Sequence, residues 1–279
     1  MHIVRYEAGD GAVRVGVLAE GTVRRLPVES MAELLGGDLD RVRDLVAAAG
    51  APDRAGRLLA PVDGTTEVWA AGVTYQRSRE ARVEESAQAS VYDLVYAADR
   101  PELFMKAPAW RVVAPGEPLR LRVDSPNDIP EPELAAVVTA SGQIAGWTVC
   151  DDLTARGIEG ENPLYLPQAK IWDGACALAA GIRPAWEVDI ADGWSITMTI
   201  ERGAAVVFEG STETTALRRT VPVLVSWLYR ETSFPGGAVL STGTGIVPPL
   251  DFTLNHGDRV TIDIPEIDVL THIVHKGQT

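Results

Sequence analysis

The chain has 279 residues, 46% of them hydrophobic and 23% charged, which is enough apolar material for a sizeable core and excludes a disordered, collagen-like or disulfide-framed chain. Against 25 Lys and Arg stand 39 Asp and Glu, a formal net charge of −14 whose field repels phosphate backbones and anionic lipid, so neither nucleic acid nor a membrane is an expected partner. A small anionic ligand remains compatible, because a site that reads an anion can carry its own local cation.

No apolar run approaches the roughly 18 to 20 residues of a membrane span, and Met1–Arg5 lacks a signal-peptide core, so a cytoplasmic protein is expected. Cys150 and Cys176 both lie in apolar stretches and are expected to be reduced and buried.

Residues 1–65 read as a small N-terminal α/β domain. Alternation in His2–Tyr6 and Val13–Leu18 predicts a hairpin, and Ser30–Val46 has helical spacing interrupted at Gly36-Gly37. Arg57–Gly64 is a connector punctuated by Pro61 and Gly64. Residues 66–279 form the predicted catalytic domain, mainly short strands separated by Gly, Pro and Asp, which makes the fold class α+β with β dominant. One helix is predicted over Tyr75–Ala98, crowded with Arg77, Arg79, Glu80, Arg82, Glu84 and Glu85. It is read as a solvated face and a candidate lid. A second helix is predicted near Val221–Glu231, from the spacing of Val221, Leu224, Val225 and Leu228.

The stretch Asp128–Asp152 carries the most chemistry. Residues two apart on a strand share a face, so Glu131 and Glu133 point the same way, and Ser141-Gly142 marks a hairpin turn. If Ala140 pairs with Gln143, Glu131 stands opposite Asp152 and Glu133 opposite Cys150, gathering three carboxylates on one face. A slip of one residue would bring Asp151 in instead. Three carboxylates with room for further oxygens suit Mg²⁺, or Mn²⁺ in its place, better than zinc. The alternative is a solvated acidic strand end, since Pro130 and Pro132 mark an edge.

Lys170, in the apolar segment Tyr165–Gly174, needs either an acidic partner or an exposed course along Trp172. Thr242–Gly245 could present hydroxyls and backbone N–H groups to an anion, while Glu102 and Lys106 are weaker candidates taken singly. The four histidines, His2, His256, His272 and His275, are near the chain ends and are read as structural or surface residues. There is no Gly-x-Ser-x-Gly elbow, no phosphate-cradling loop and no dinucleotide fingerprint.

Gly72–Tyr75, Leu103–Lys106, Pro130–Leu134, Ile144–Thr148, Asp152–Arg156, Ala169-Lys170 and Thr242–Thr244 together resemble, in order and spacing, the fumarylacetoacetate hydrolase superfamily over about residues 68–275. The resemblance implies a mixed β-sandwich roll and a homodimer, with Mg²⁺ held by Glu131, Glu133 and Asp152. It further implies a catalytic Lys170 and a substrate-carboxylate contact at Thr244. Gly72–Ser78, Arg100–Phe104 and Ile158–Lys170 are similar to the sugar-acid branch, which dehydrates 2-keto-3-deoxy-pentonates to 2,5-dioxopentanoate.

The chain departs from the superfamily at several positions. Ser78 stands where the C–C hydrolases carry a general-base His, Glu159 where many relatives carry Gln, Asp151 where this branch often has Asn, and Ala177–Gly181 replaces a Gly-Pro run. On the implied chemistry a small 2-keto acid chelates the metal, with Lys170 and either Glu102 or Glu84 moving protons, and Tyr75, Ser78, Lys106, Arg156 and Thr244 contacting substrate. Acylpyruvate hydrolysis, oxaloacetate-type decarboxylation and a non-catalytic scaffold are the competing readings.

Overall fold

The computed structural model describes residues 1–85 and 89–277. Its strands form two sheets. The spine of the larger runs, in spatial order, Pro52–Asp53, Thr22–Arg25, Val13–Ala19, His2–Ala8, Gly181–Pro184, Ile144–Asp152, Pro132–Val138, Ala238–Ser241, Glu67–Gly72 and Glu102–Pro108. The smaller runs Ala205–Glu213, Ser195–Arg202, Arg259–Ile264, Asp268–Lys276 and Leu119–Leu121.

Strand Pro132–Val138 is buried along its whole length because both its faces are covered. Leu134, Ala136 and Val138 pack with Met198, Ile200, Val260 and Ile262 of the smaller sheet. Ala135 and Val137 pack the other way, with Ile3, Val15, Met31 and Leu34 of the N-terminal region. Alternate residues of a strand point to opposite faces, so a run of small and β-branched apolar residues serves two cores at once.

The predicted N-terminal hairpin forms between His2–Ala8 and Val13–Ala19. Its first strand also pairs with Gly181–Pro184, Ile3 opposite Ile182, so the N-terminal strands extend the large sheet. The helical segment divides at Gly36-Gly37 into Met31–Leu35 and Leu39–Ala47. Each begins on a capping side chain: Ser30 Oγ accepts from Glu33 N at 3.0 Å, and Asp38 Oδ1 from Arg41 N at 2.9 Å. The helix Val221–Leu228 buries its four predicted apolar residues and stops three residues short of Glu231.

The single helix expected over Tyr75–Ala98 is replaced by two, Gln76–Glu85 and Ala89–Ala97; the expectation for residues 86–88 lies outside the described residues. The two fold back on one another, since Arg79 Nε lies 2.7 Å from Asp93 Oδ1, whereas residues that far apart on one straight helix would be about 21 Å distant. Arg219 donates to the Val95, Tyr96 and Ala98 carbonyls, occupying acceptors left open at the end of the second helix. Among the described residues no helix is long and apolar enough to cross a membrane.

Candidate active site

The carboxylates meet because of the hairpin between Pro132–Val138 and Ile144–Asp152. Glu133 is paired with Cys150, and Asp152 N donates to the Glu131 carbonyl at 3.0 Å, the alignment predicted from the sequence. The route to it differs. Thr139 N donates to Gln143 O and Gly142 N to Thr139 O, both at 2.9 Å, so the loop has three residues, with Gly142 left-handed at φ +79°. That loop alone would shift the register by one, and a bulge beyond Val137 shifts it back.

Glu131, Glu133 and Asp152 are buried, and each offers an oxygen within 4.8 Å of the others. An all-oxygen set of this kind fits a hard divalent cation such as Mg²⁺. Three carboxylates this close also require neutralising cations, and the protein provides them. Lys170 Nζ lies 2.7 Å from Glu131 Oε2, 3.1 Å from Asp152 Oδ2 and 2.7 Å from Thr154 Oγ1. Lys106 Nζ lies 2.5 Å from Asp152 Oδ1 and donates to the Leu153 and Lys170 carbonyls at 2.8 and 2.6 Å. Glu133 Oε2 instead accepts from Ser241 Oγ at 2.5 Å and Gly243 N at 2.7 Å.

These surroundings divide the carboxyls electrostatically. Burial alone would disfavour ionised Glu131, but Lys170 and Arg82 outweigh it and hold its pKa at about 2. Burial, reinforced by Asp152 and Glu131, pushes Glu133 well up. Burial also raises Glu102. For Lys170 burial opposes the charge, yet Asp152 and Glu131 prevail and favour the ammonium.

The cleft over the cluster is lined by Ser78, Arg82, Glu102, Glu131, Glu133, Asp152, Glu159, Lys170 and Thr244, among others. Glu102 fits because it is paired with Gly72, where a Cβ would meet its Oε2 at 2.1 Å. Ser78 Oγ donates to the Tyr75 carbonyl at 2.8 Å and accepts from Tyr75 N at 3.2 Å. Thr244 Oγ1 bonds within its own loop, to Ile246 O at 3.2 Å and Ile246 N at 3.1 Å.

Other candidates stand apart from the lining. Tyr75 is buried, and among the described residues its hydroxyl has no hydrogen-bond partner. Arg156 donates to the Pro248 and Pro249 carbonyls, each at 2.8 Å. Glu84 is exposed, 3.9 Å from Arg77.

Three groups enter that sequence reasoning did not place here. Arg82 Nη2 donates to Glu131 Oε1 at 2.8 Å, and its Nη1 pairs with Glu159. Ser78, Ala81 and Arg82 share the inner face of their helix at i, i+3 and i+4, a stripe visible in the sequence but obscured by the surrounding charges. His272 Nε2 lies 2.9 Å from Asp151 Oδ2, and Asp151 Oδ1 accepts from Glu131 N at 3.1 Å, so a histidine distant in sequence backs the hairpin.

Comparisons with known proteins give a family and, at higher identity, dehydratases of 2-keto-3-deoxy acids. The fumarylacetoacetate (FAA) hydrolase C-terminal family matches residues 67–275. The chain is 42% identical over 253 residues, 91% of its length and 84% of the relative's, to a Haloferax volcanii protein named "Probable 2-keto-3-deoxyxylonate dehydratase". It is also 42% identical over 224 residues, 79% of its length and 75% of the relative's, to the 2-dehydro-3-deoxy-D-arabinonate dehydratase of Saccharolobus solfataricus. Among solved structures, 2-keto-3-deoxy-D-arabinonate dehydratase complexed with magnesium and 2,5-dioxopentanoate superposes with a TM-score of 0.86 at 34% identity, covering 100% of both chains.

Proposed function

This chain belongs to the fumarylacetoacetate hydrolase family, and on that premise we propose that it is a Mg²⁺-dependent dehydratase converting a 2-keto-3-deoxy-pentonate to 2,5-dioxopentanoate. The observation that carries this reading is the cleft's chemistry: three carboxylates that could hold a metal, Lys170 and Glu102, with Ser78 engaged by the Tyr75 backbone and no histidine in the lining among the described residues. Hydrolysis of a C–C bond requires a base that activates water, whereas dehydration requires a base at the substrate C3 and an acid at the departing hydroxyl, the pair that Glu102 and Lys170 offer in this lining.

Glu131, Glu133 and Asp152 would hold Mg²⁺, whose positive charge would stabilise the electron density developing on the keto oxygen. Glu102, made more basic by burial, accepts the C3 proton. Lys170, kept as an ammonium, donates to the C4 hydroxyl, which leaves as water. The resulting C3=C4 bond migrates by proton transfer from C5 to C3, and the C5 enol becomes the aldehyde. Of the two carboxylates considered, Glu102 lines the cleft and takes the base role, while Glu84 is exposed. Thr244 lines the cleft and borders the substrate, whereas Tyr75 is buried behind the lining and acts through its backbone contacts with Ser78. The active species is read as a homodimer, to be checked by light scattering.

The test incubates the protein and Mg²⁺ with a 2-keto-3-deoxy-pentonate, an acylpyruvate and oxaloacetate, and identifies products by mass. Loss of one water from the pentonate is expected; pyruvate release or CO₂ loss as the main reaction would overturn the assignment. Lys170→Met should lower kcat by about 10² to 10⁴ while Mg²⁺ still binds. Near-normal turnover would remove Lys170 from the mechanism.

A further inference from the structure

Glu131 is held on both oxygens, by Lys170 on Oε2 and by Arg82 on Oε1, and a divalent cation must compete with both. The two competitors differ in what remains to them. Lys170 keeps Asp152 and Thr154. Arg82 keeps Glu159, which is 4% exposed and projects from the separate helix Arg156–Glu161. A guanidinium is a rigid fork of donors, so with one edge on Glu159 its other edge still faces the position now filled by the Glu131 carboxylate.

We propose that Arg82 is a substrate-binding residue: Glu159 holds it in the cleft, and it exchanges Glu131 Oε1 for a carboxylate oxygen of the keto acid once metal claims Glu131. One anionic oxygen replaces another on the same edge, so the guanidinium is never left without a countercharge in a poorly solvated cleft. Glu159 is then a positioning residue acting through Arg82. This inference rests on the Mg²⁺ reading above.

The experiment titrates Mg²⁺ calorimetrically into the full chain and its Arg82→Gln and Glu159→Gln variants without substrate, then measures steady-state kinetics at saturating Mg²⁺. Arg82→Gln removes a competitor and should bind Mg²⁺ several-fold more tightly. Glu159→Gln removes an anchor that competes with Glu131 for the guanidinium and should bind Mg²⁺ several-fold more weakly. With the 2-keto-3-deoxy-pentonate, Arg82→Gln should raise KM about tenfold or more, as expected for one lost charge-assisted hydrogen bond, with a much smaller change in kcat. Arg82→Lys should give an intermediate KM.

General damage to the site would move both Mg²⁺ affinities the same way, and that result, or no movement, overturns the proposal. If Arg82→Gln fails to fold, Glu159→Gln decides alone: weaker Mg²⁺ binding supports the proposal, and unchanged or tighter binding overturns it. Absence of Mg²⁺ binding by the unmodified chain would defeat the metal reading itself, and this inference with it.

Discussion

The hairpin Pro132–Asp152 and the helix Gln76–Glu85 border the same cleft, but the first is buried along both strands apart from the rim of its turn, whereas the helix buries only Ser78 and Ala81 among its residues up to Glu84. The hairpin's position is determined by backbone hydrogen bonds to neighbours on either side and by two apolar cores. Among the described side chains, the helix reaches the cluster through an ionic one, Arg82. Backbone pairing is indifferent to the charge in the cleft, so it can place like charges side by side. Ionic contacts respond to that charge, and groups that must exchange partners during turnover belong there.

The largest expected effect tests the backbone-held wall. Asp152→Asn keeps the strand pairing but removes a ligand charge, so Mg²⁺ binding should be lost and turnover should fall on the order of 10³-fold or more. Mg²⁺ at a hundredfold excess over its dissociation constant should stabilise the unmodified protein by about 2.7 kcal/mol and leave this variant's unfolding midpoint unmoved. Retained Mg²⁺ stabilisation would mean that the ion sits elsewhere.

A smaller effect is expected where the wall is braced from behind. Gly243 has φ +92°, and a Cβ there would meet Thr74 Oγ1 at 1.9 Å and Ala71 O at 2.8 Å, while its N–H fixes Glu133. Gly243→Ala should cost about 1 to 3 kcal/mol in urea unfolding, because the new side chain both strains the backbone and crowds its neighbours. Mg²⁺ affinity should fall with it as Glu133 shifts. An unchanged affinity would show that Glu133 is placed by its strand alone.

Much of the hairpin wall was legible in the sequence. Period-two spacing put Glu131 and Glu133 on one face, and Ser141-Gly142 located the turn. The three-residue loop and its compensating bulge were not legible, because alternation resumes beyond the bulge as though nothing had intervened. The helix wall was harder. No Gly or Pro interrupts 76–98 to signal two helices, and Arg82 is one of several charges on its segment until the fold turns it toward Glu131. The pairs Ile3–Ile182 and Asp151–His272 join distant parts of the chain, and nothing local in either partner records them.

The mildest substitution tests the exposed side of the helix. Glu84 shares a helix with Arg82, yet its carboxylate is solvated and its nearest cation, Arg77, is itself exposed and 3.9 Å away. An exposed pair at that separation contributes little, since water screens it and two long side chains lose entropy to hold it. Glu84→Gln should therefore change kcat and Mg²⁺ affinity by less than about twofold, within the range of ordinary surface substitutions. A large fall in kcat at unchanged Mg²⁺ affinity would instead show that the helix turns Glu84 inward during turnover and that it, and not Glu102, exchanges the proton. Because Glu102 lies on a strand paired to Gly72 and Glu84 on the ionically tethered helix, the same kinetic measurement on Glu102→Gln assigns the base to the sheet or to the helix.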